Sequence, residues 1–413
     1  MGFLYHIFIL MLGFAIRVAS LFSPKAKRWV EGRKNWQDTL DSIPKSDKIC
    51  WFHCASLGEF DQGLDLMFAL KERDPSCLIV VSFFSPSGMD HYQKRKNCVD
   101  YAVYLPLDTP KNAALFIQKL QPTYAIFIKY EFWANVVFAA KKQGVVLLSV
   151  ATLLRKDQVY FKFYGGFFRQ VLQSFDFFFV QNKSTFTLLQ SIQIEQIACV
   201  GDTRFDRVLA NRAATIEKSN HSSLENEIFS TFLEGEKAII FGSSWREEEG
   251  LLLALLESGC TRKIIVAPHD VKEENSARLM ASMGDKAIRF TAFSDYKQQQ
   301  VLILDTIGHL SLAYRFGDIA VIGGGFSGKL HNILEPLVFG LPVIFGPKVS
   351  KFPETEQPLL DGFAFKVASP SEFLEVLNAI QENTADLSLS ASLYIEQNAG
   401  ATHSISTHSI FTF

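Results

Sequence analysis

The chain has 413 residues, 48% of them hydrophobic, with 41 Lys and Arg against 43 Asp and Glu, giving a formal net charge of −2. That balance excludes general nucleic-acid binding by charge, and the length favours two domains, each able to build its own core. Phenylalanine is used heavily, at 38 residues, which fits apolar cores and a surface that meets lipid.

An uncharged apolar run covers residues 2–16; Arg17 interrupts it, and it resumes over 18–22. Lys25, Lys27, Arg28, Arg33 and Lys34 come next. The run is marginal for a span of about 20 residues, and it lacks the leading basic residues and the A-x-A site of a cleaved signal. Residues 1–22 are therefore expected to form a membrane anchor, with a buried core helix as the alternative. The basic cluster would hold the rest of the chain on the cytoplasmic side.

Short apolar runs then alternate with amphipathic stretches of helical length. Strands are expected at 49–54, 78–83, 124–128, 145–150, 177–180 and 197–200. Residues 206–236 are polar and read as a helix and a connection between domains. Strands resume at 238–241, 263–267, 301–304, 319–322 and 343–345. This alternation implies βα units and parallel sheets. The expected fold class is α/β: two Rossmann-like domains, 23–205 and 206–413, with their sheets facing a central cleft. The six cysteines form no C-x-x-C motif and read as reduced core residues of a cytosolic protein. No Cys/His cluster has zinc-ligand spacing and no Asp-x-Asp pair stands out, so neither metal nor cofactor is expected.

Ligands of such sheets bind beyond the carboxyl ends of the strands, and seven polar stretches lie there. After 49–54, Ser56 and Glu59 have the spacing of a capping box; the functional alternative makes Glu59 a general base. After 124–128, Glu131 is either a charge favoured at a helix start or a second site carboxylate. After 197–200, Arg204 either grips a phosphate or a developing negative charge, or the segment pairs locally as Arg204–Asp206 or Asp202–Arg207. After 238–241, Ser243 and Ser244 cap a helix or bind phosphate. Pro268 and His269 end the next strand, where a lone histidine is a loop residue or a catalyst. The stretch 305–310 offers backbone groups to a nucleobase. Last, Gly323, Gly324 and Gly325 are expected to leave backbone N–H groups free for an anion, with Asn332 and Glu335 reaching from a short helix, as in a sugar-nucleotide site.

In their order and spacing, A-S-L-G-E at 55–59, E-F-W-A-N at 131–135, G-D-T-R-F-D at 201–206, D-T-I-G at 305–308 and H-N-I-L-E-P at 331–336 resemble the 3-deoxy-D-manno-octulosonic acid (Kdo) transferase family of lipopolysaccharide synthesis. The resemblance covers almost the whole chain. It implies a GT-B fold and the inverting transfer of Kdo from CMP-Kdo to a lipid A precursor (lipid IVA), at the cytoplasmic face of the cell inner membrane. It makes 23–205 the acceptor-binding domain and 206–413 the CMP-Kdo domain. By similarity Glu59 is the proton acceptor, and Glu131 and Arg204 support the transition state. Pro268 and His269, then Ile307, Gly308 and His309, then Asn332, Ile333, Leu334 and Glu335 match CMP-binding segments. Ser243, Ser244 and Gly324 complete the donor-side candidates. The chain departs from the family at His269-Asp270, where Arg-His is common, and at His309, where Glu is common. It departs also at Arg204, often Lys, and at Lys129, usually a small or hydroxyl residue. Two other readings stay open: a GT-B lipid glycosyltransferase using a UDP-sugar, resembling lipid A disaccharide synthase, and a non-catalytic, membrane-tethered nucleotide-binding protein. No nucleic-acid partner is expected, and the sequence does not fix an oligomeric state.

Overall fold

A computed structural model describes residues 2–219 and 224–412. Residues 220–223, within the expected connection, lie outside the described residues. By contact the chain divides into one unit of Met1–Arg207 with Ala399–Phe413, and a second of Val208–Asn398.

The first unit holds β1 (Ile49–Cys54), β2 (Leu78–Phe83), β3 (Tyr101–Tyr104), β4 (Tyr124–Ile128), β5 (Val146–Thr152), β6 (Phe177–Val180) and β7 (Ile197–Cys199). They form one parallel sheet in the order β3-β2-β1-β4-β5-β6-β7. Every residue of β1 is buried. Ile49 and Trp51 pack into one core, while Cys50, Phe52 and Cys54 pack into the other. A strand covered on both faces reads as a continuous apolar run instead of an alternating one. The second unit repeats the plan with β8 (Ala238–Ser244), β9 (Ile264–Pro268), β10 (Ala287–Arg289), β11 (Val301–Ile303), β12 (Gly317–Ile322), β13 (Val343–Phe345) and β14 (Ala364–Lys366). Their order is β10-β11-β9-β8-β12-β13-β14, again all parallel. The α/β class and the GT-B type of sheet are as expected. In each sheet the strand order reverses beside the first strand, between β1 and β4 and between β8 and β12. Such reversals are where open α/β sheets bind ligands.

β3, β10 and β14 are strands the sequence reading omits, and each lies at a sheet edge. The carboxy-terminal segment also differs from expectation: Ala399–Phe413 belongs to the first unit. Helix Ala401–Ser406 packs against helix Leu57–Arg73. Phe411 is buried against Tyr124, with ring centroids 5.2 Å apart, and the Arg73 guanidinium donates to the carbonyls of Ser406 and Phe411 at 2.7 and 3.0 Å. Of the cysteines, Cys50, Cys54 and Cys77 are buried as expected, whereas Cys199, on edge strand β7, is exposed.

Helix Gly2–Ala19 is, among the described residues, the one long and apolar enough to cross a membrane. One side meets the first unit: Ile9 and Gly13 are buried, and the Tyr5 hydroxyl donates to Asp108 at 2.6 Å. The remaining surface exposes Phe3, Leu4, Phe8, Met11 and Phe14. These features are compatible with a membrane anchor.

Candidate active site

In the first unit the chain leaves β1 through Ala55 and enters helix Leu57–Arg73 with Ser56 as N-cap. The Ser56 amide donates to Glu59 Oε2 at 2.8 Å and its hydroxyl to the same oxygen at 3.3 Å. The capping box is thus formed, and it holds the Glu59 carboxylate at the carboxyl end of β1. Burial pushes this carboxyl up, while the Lys129 charge and the Ser56 contacts pull it back. Across the reversal, Lys129 follows β4 with a φ of 65°, an uncommon conformation for a residue with a Cβ. Glu131 comes two residues later. Burial first, and the Glu59 charge second, push its carboxyl up to about 7. Tyr160, pushed up to about 12 by burial and then by Glu131, completes the group. Like charges in a poorly solvated site raise each other's proton affinity.

Two residues that the sequence reading missed hold this arrangement. His53, wholly buried in β1, accepts from the Trp133 indole N–H at Nε2 (3.1 Å) and lies 2.9 Å from Ser82 Oγ through Nδ1. Burial lowers its pKa to about 3, so it is a neutral acceptor that ties the 131–135 segment to β1. Asp108 accepts from the Asn135 and Val136 amides at 3.1 and 2.9 Å, at the start of helix Ala134–Lys142. The signal in the sequence was poor: Asp108 precedes Thr109-Pro110 and looks like part of that helix start, yet it serves another helix.

Arg204 lies at the start of helix Thr203–Ser219. Its guanidinium pairs with Asp202 at 2.7 Å, and its amide also donates to Asp202 at 2.9 Å. Arg207 pairs with Asp65 at 3.0 Å, and Asp206 accepts from the amides of Gly400 and Thr402. The local pairings expected, Arg204–Asp206 and Asp202–Arg207, are therefore replaced by Asp202–Arg204 and Asp65–Arg207. Thr203 donates to the Gln62 carbonyl at 2.8 Å, which fastens this segment to the helix carrying Glu59.

In the second unit, β8 ends with Ser243 at a φ of 52°, and β12 ends at the three glycines. A Cβ on Gly323 would stand 1.9 Å from the Ser243 carbonyl oxygen, and one on Gly324 2.2 Å from that of Lys329. The glycines let the chain fold closely on itself. Two of the three amides are not free for an anion, contrary to expectation: Gly323 N–H donates to Gly242 (2.9 Å) and Gly324 N–H to Glu248 Oε1 (3.0 Å). Glu248 Oε2 accepts from the Trp245 amide at 3.0 Å. This fully buried carboxylate, pushed up by burial, plugs the glycine turn. Its sequence signal was only one of three consecutive acids, Glu247 to Glu249.

Other groups are available for a ligand. Ser244 Oγ and Trp245 Nε1 are buried and have no hydrogen-bond partner among the described residues. The Trp245 ring stacks on His269 with centroids 4.7 Å apart, and His269 lies 4.7 Å from His331. Burial, and then His269, lower the His331 pKa to about 4. Lys329 Nζ sits 5.4 Å from the Trp245 ring centre. The structure therefore brings Ser244, Pro268 and His269 beside Trp245, His331 and Lys329. Asn332 is used locally: it accepts from the Leu334 amide at 3.1 Å and donates to Glu335 at 3.2 Å, fixing helix Leu334–Leu337, with Ile333 buried. Ile307 is 87% exposed and Gly308 has a φ of 109°. His309 stacks on Phe290 and lies 3.2 Å from Glu225.

A family model described as 3-Deoxy-D-manno-octulosonic-acid transferase (kdotransferase) matches residues 28–207. A 3-deoxy-D-manno-octulosonic acid transferase of Rickettsia bellii is 24% identical over 340 residues, which cover 80% of this chain and 78% of the relative. That of Aquifex aeolicus is 23% identical over 347 residues, covering 82% and 88%. Among solved structures, the UDP-GlcNAc 2-epimerase of Neisseria meningitidis superposes with a TM-score of 0.60 at 12% identity, covering 86% of this chain and 95% of that one. Acinetobacter baumannii MurG gives 0.52 at 12%, covering 87% and 98%. At such identities these two likenesses speak for the fold, GT-B. The match over 28–207, and relatives that align along most of its length, make the chain similar to Kdo transferases, and with the GT-B fold they support glycosyltransferase activity.

Proposed function

We propose that the chain transfers Kdo from CMP-Kdo to a lipid A precursor, lipid IVA, inverting the anomeric carbon. The observation that carries this reading is the pair of carboxylates at the β1/β4 reversal: Glu59, held past the end of β1 by the Ser56 amide, and Glu131 past the end of β4, both pushed up by burial and Glu131 further by the Glu59 charge. A general base works best when its proton affinity lies near the operating pH. Glu59 takes the proton of the acceptor hydroxyl as that oxygen bonds to the anomeric carbon. The bond to the cytidylate oxygen breaks, and CMP leaves with the electron pair. The first unit thereby handles the acceptor and the second the donor. Ser244, His269 and Lys329 meet the cytidylate, and Arg204 stays oriented by Asp202 to counter negative charge. Helix Gly2–Ala19 attaches the enzyme to the inner membrane, where a lipid acceptor resides.

Incubating the purified chain with CMP-Kdo and lipid IVA should yield Kdo-bearing lipid by mass spectrometry, with the inverted anomer by NMR. No product with any lipid A precursor would remove the assignment. One feature favours a second base within the same reaction: burial and the Glu59 charge push the Glu131 carboxyl up to about 7, close to neutrality. If Glu59→Gln keeps turnover and Glu131→Gln abolishes it together with the acid limb of the pH profile, the roles exchange.

A further inference from the structure

A cavity of about 380 Å³ lies in the first unit beneath the amino-terminal helix, and Gly13, Arg17, Trp29, Arg33, Lys34 and Asn112 are among the residues that line it. Three of its residues are cationic, and none carries a carboxylate. Arg33 is buried, with its guanidinium donating to the carbonyls of Leu105 (2.7 Å), Trp29 (3.0 Å) and Phe84 (2.6 Å) and lying 3.6 Å from the Trp29 ring centre. Its hydrogen bonds are thus met by neutral groups, and its charge is left without a counterion. Burial of that charge without an anion lowers its pKa to about 9. Arg17 and Lys34 are exposed and form no ion pair among the described residues. The Trp29 indole N–H is buried and has no acceptor among them. The surrounding surface is apolar: Phe14, Val18, Leu21 and Phe22 are exposed on and just after the same helix.

A buried positive charge with two exposed cations above it and an indole donor suits an anionic oxygen cluster. An apolar rim on one side suits a ligand whose anion is joined to a hydrocarbon chain. We infer that this cavity binds the phosphate headgroup of an anionic membrane lipid, with its acyl chains lying along the exposed apolar side of helix Gly2–Ala19. Charge complementarity and the apolar rim select this occupant over a soluble phosphate, which would gain nothing from Phe14 or Phe22. The inference rests on attachment to a membrane and not on the identity of the sugar transferred.

The full chain in neutral detergent is titrated with dihexanoyl phosphatidylglycerol, dihexanoyl phosphatidylcholine and inorganic phosphate, and tryptophan fluorescence is recorded. Phosphatidylglycerol should give a saturable change that is absent from a Trp29→Phe variant. The double variant Arg17→Gln/Lys34→Gln, both positions being exposed, should keep its thermal midpoint and weaken phosphatidylglycerol about tenfold or more, since charge-assisted contacts are the strong ones. Phosphatidylcholine should bind at least tenfold more weakly. Equal affinity for inorganic phosphate would mean an anion site with no lipid preference and would overturn the proposal. So would equal affinity for phosphatidylcholine, unchanged affinity in the double variant, or no saturable change. Kdo transfer by the double variant is measured in parallel, so that failure of the lipid site and failure of the proposed reaction are read separately.

Discussion

The two units carry the same seven-stranded parallel plan, and their ligand-facing ends are built from opposite materials. At the β1/β4 reversal the chemistry sits in side chains: two carboxyls and a lysine crowded where water is scarce. At the β8/β12 reversal the backbone folds closely on itself at Gly323 and Gly324, a buried carboxylate fills the turn, and rings and a lysine are left for a ligand. Both ends keep a residue with a Cβ at positive φ, Lys129 in one and Ser243 in the other. Backbone strain of this kind costs on the order of 1–3 kcal/mol and persists where surrounding structure enforces it. On the proposed reading, the same topology hosts a proton-handling end and a binding end, and the difference lies in the loops that leave the strand ends.

The sharpest way to break this comparison is Glu59→Gln. Turnover should fall by roughly 10²–10⁴-fold, the range for a lost general base, while CMP binding, proposed for the second unit, stays within about twofold by calorimetry. Near-normal turnover would mean that Glu59 is a cap and nothing more. On the other side, Gly323→Ala should cost about 1–3 kcal/mol in thermal unfolding through overpacking against Ser243. Gly250→Ala, in a helix with open space around it, is the control and should be neutral or stabilising by up to about 1 kcal/mol.

Glu131→Gln tests the proton-handling end by stability. A carboxyl raised from 4.5 to about 7 holds its proton more tightly in the folded state. Wild-type stability should thus be full below about pH 4.5 and decline as pH rises through 7. The variant should be more stable than wild type by roughly 2 kcal/mol at pH 8, allowing for partial exposure, and equal at pH 4. Equal stabilities at both pH values would show an ordinary solvated carboxylate. Ser56→Ala separates capping from catalysis: it should cost about 1 kcal/mol of stability with activity changed less than about threefold. The smallest effect is expected at His331. Lowered to about 4, it is neutral near pH 7, so replacing it with Gln should leave the pH dependence of CMP binding between 6 and 8 unchanged.

Much of the plan was legible because interior strands of a doubly covered sheet must be apolar on both sides. β1, β2, β4 and β6 have the boundaries the sequence suggests. Tyr101–Tyr104, Ala287–Arg289 and Ala364–Lys366 escaped notice because an edge strand has one neighbour and can be short and partly polar. Glu59 and Glu131 were visible as carboxylates just past strands. The push of the Glu59 charge on Glu131 was not, because it depends on β1 and β4 lying side by side. Nor was the use of Glu248: a sequence shows that three glycines can turn tightly but not which carboxylate takes the Gly324 amide. His53 and Asp108 were hidden for the same reason: Trp133 lies 80 residues from His53, and Tyr5 and Val136 lie 103 and 28 residues from Asp108.

The return of Ala399–Phe413 to the first unit has a consequence for biogenesis. The half translated first cannot close around Phe411 until the ribosome has passed that residue. A nonsense codon shortly before Phe411 would therefore injure the part of the enzyme made earliest, through the core that Phe411 shares with Tyr124 and Arg73.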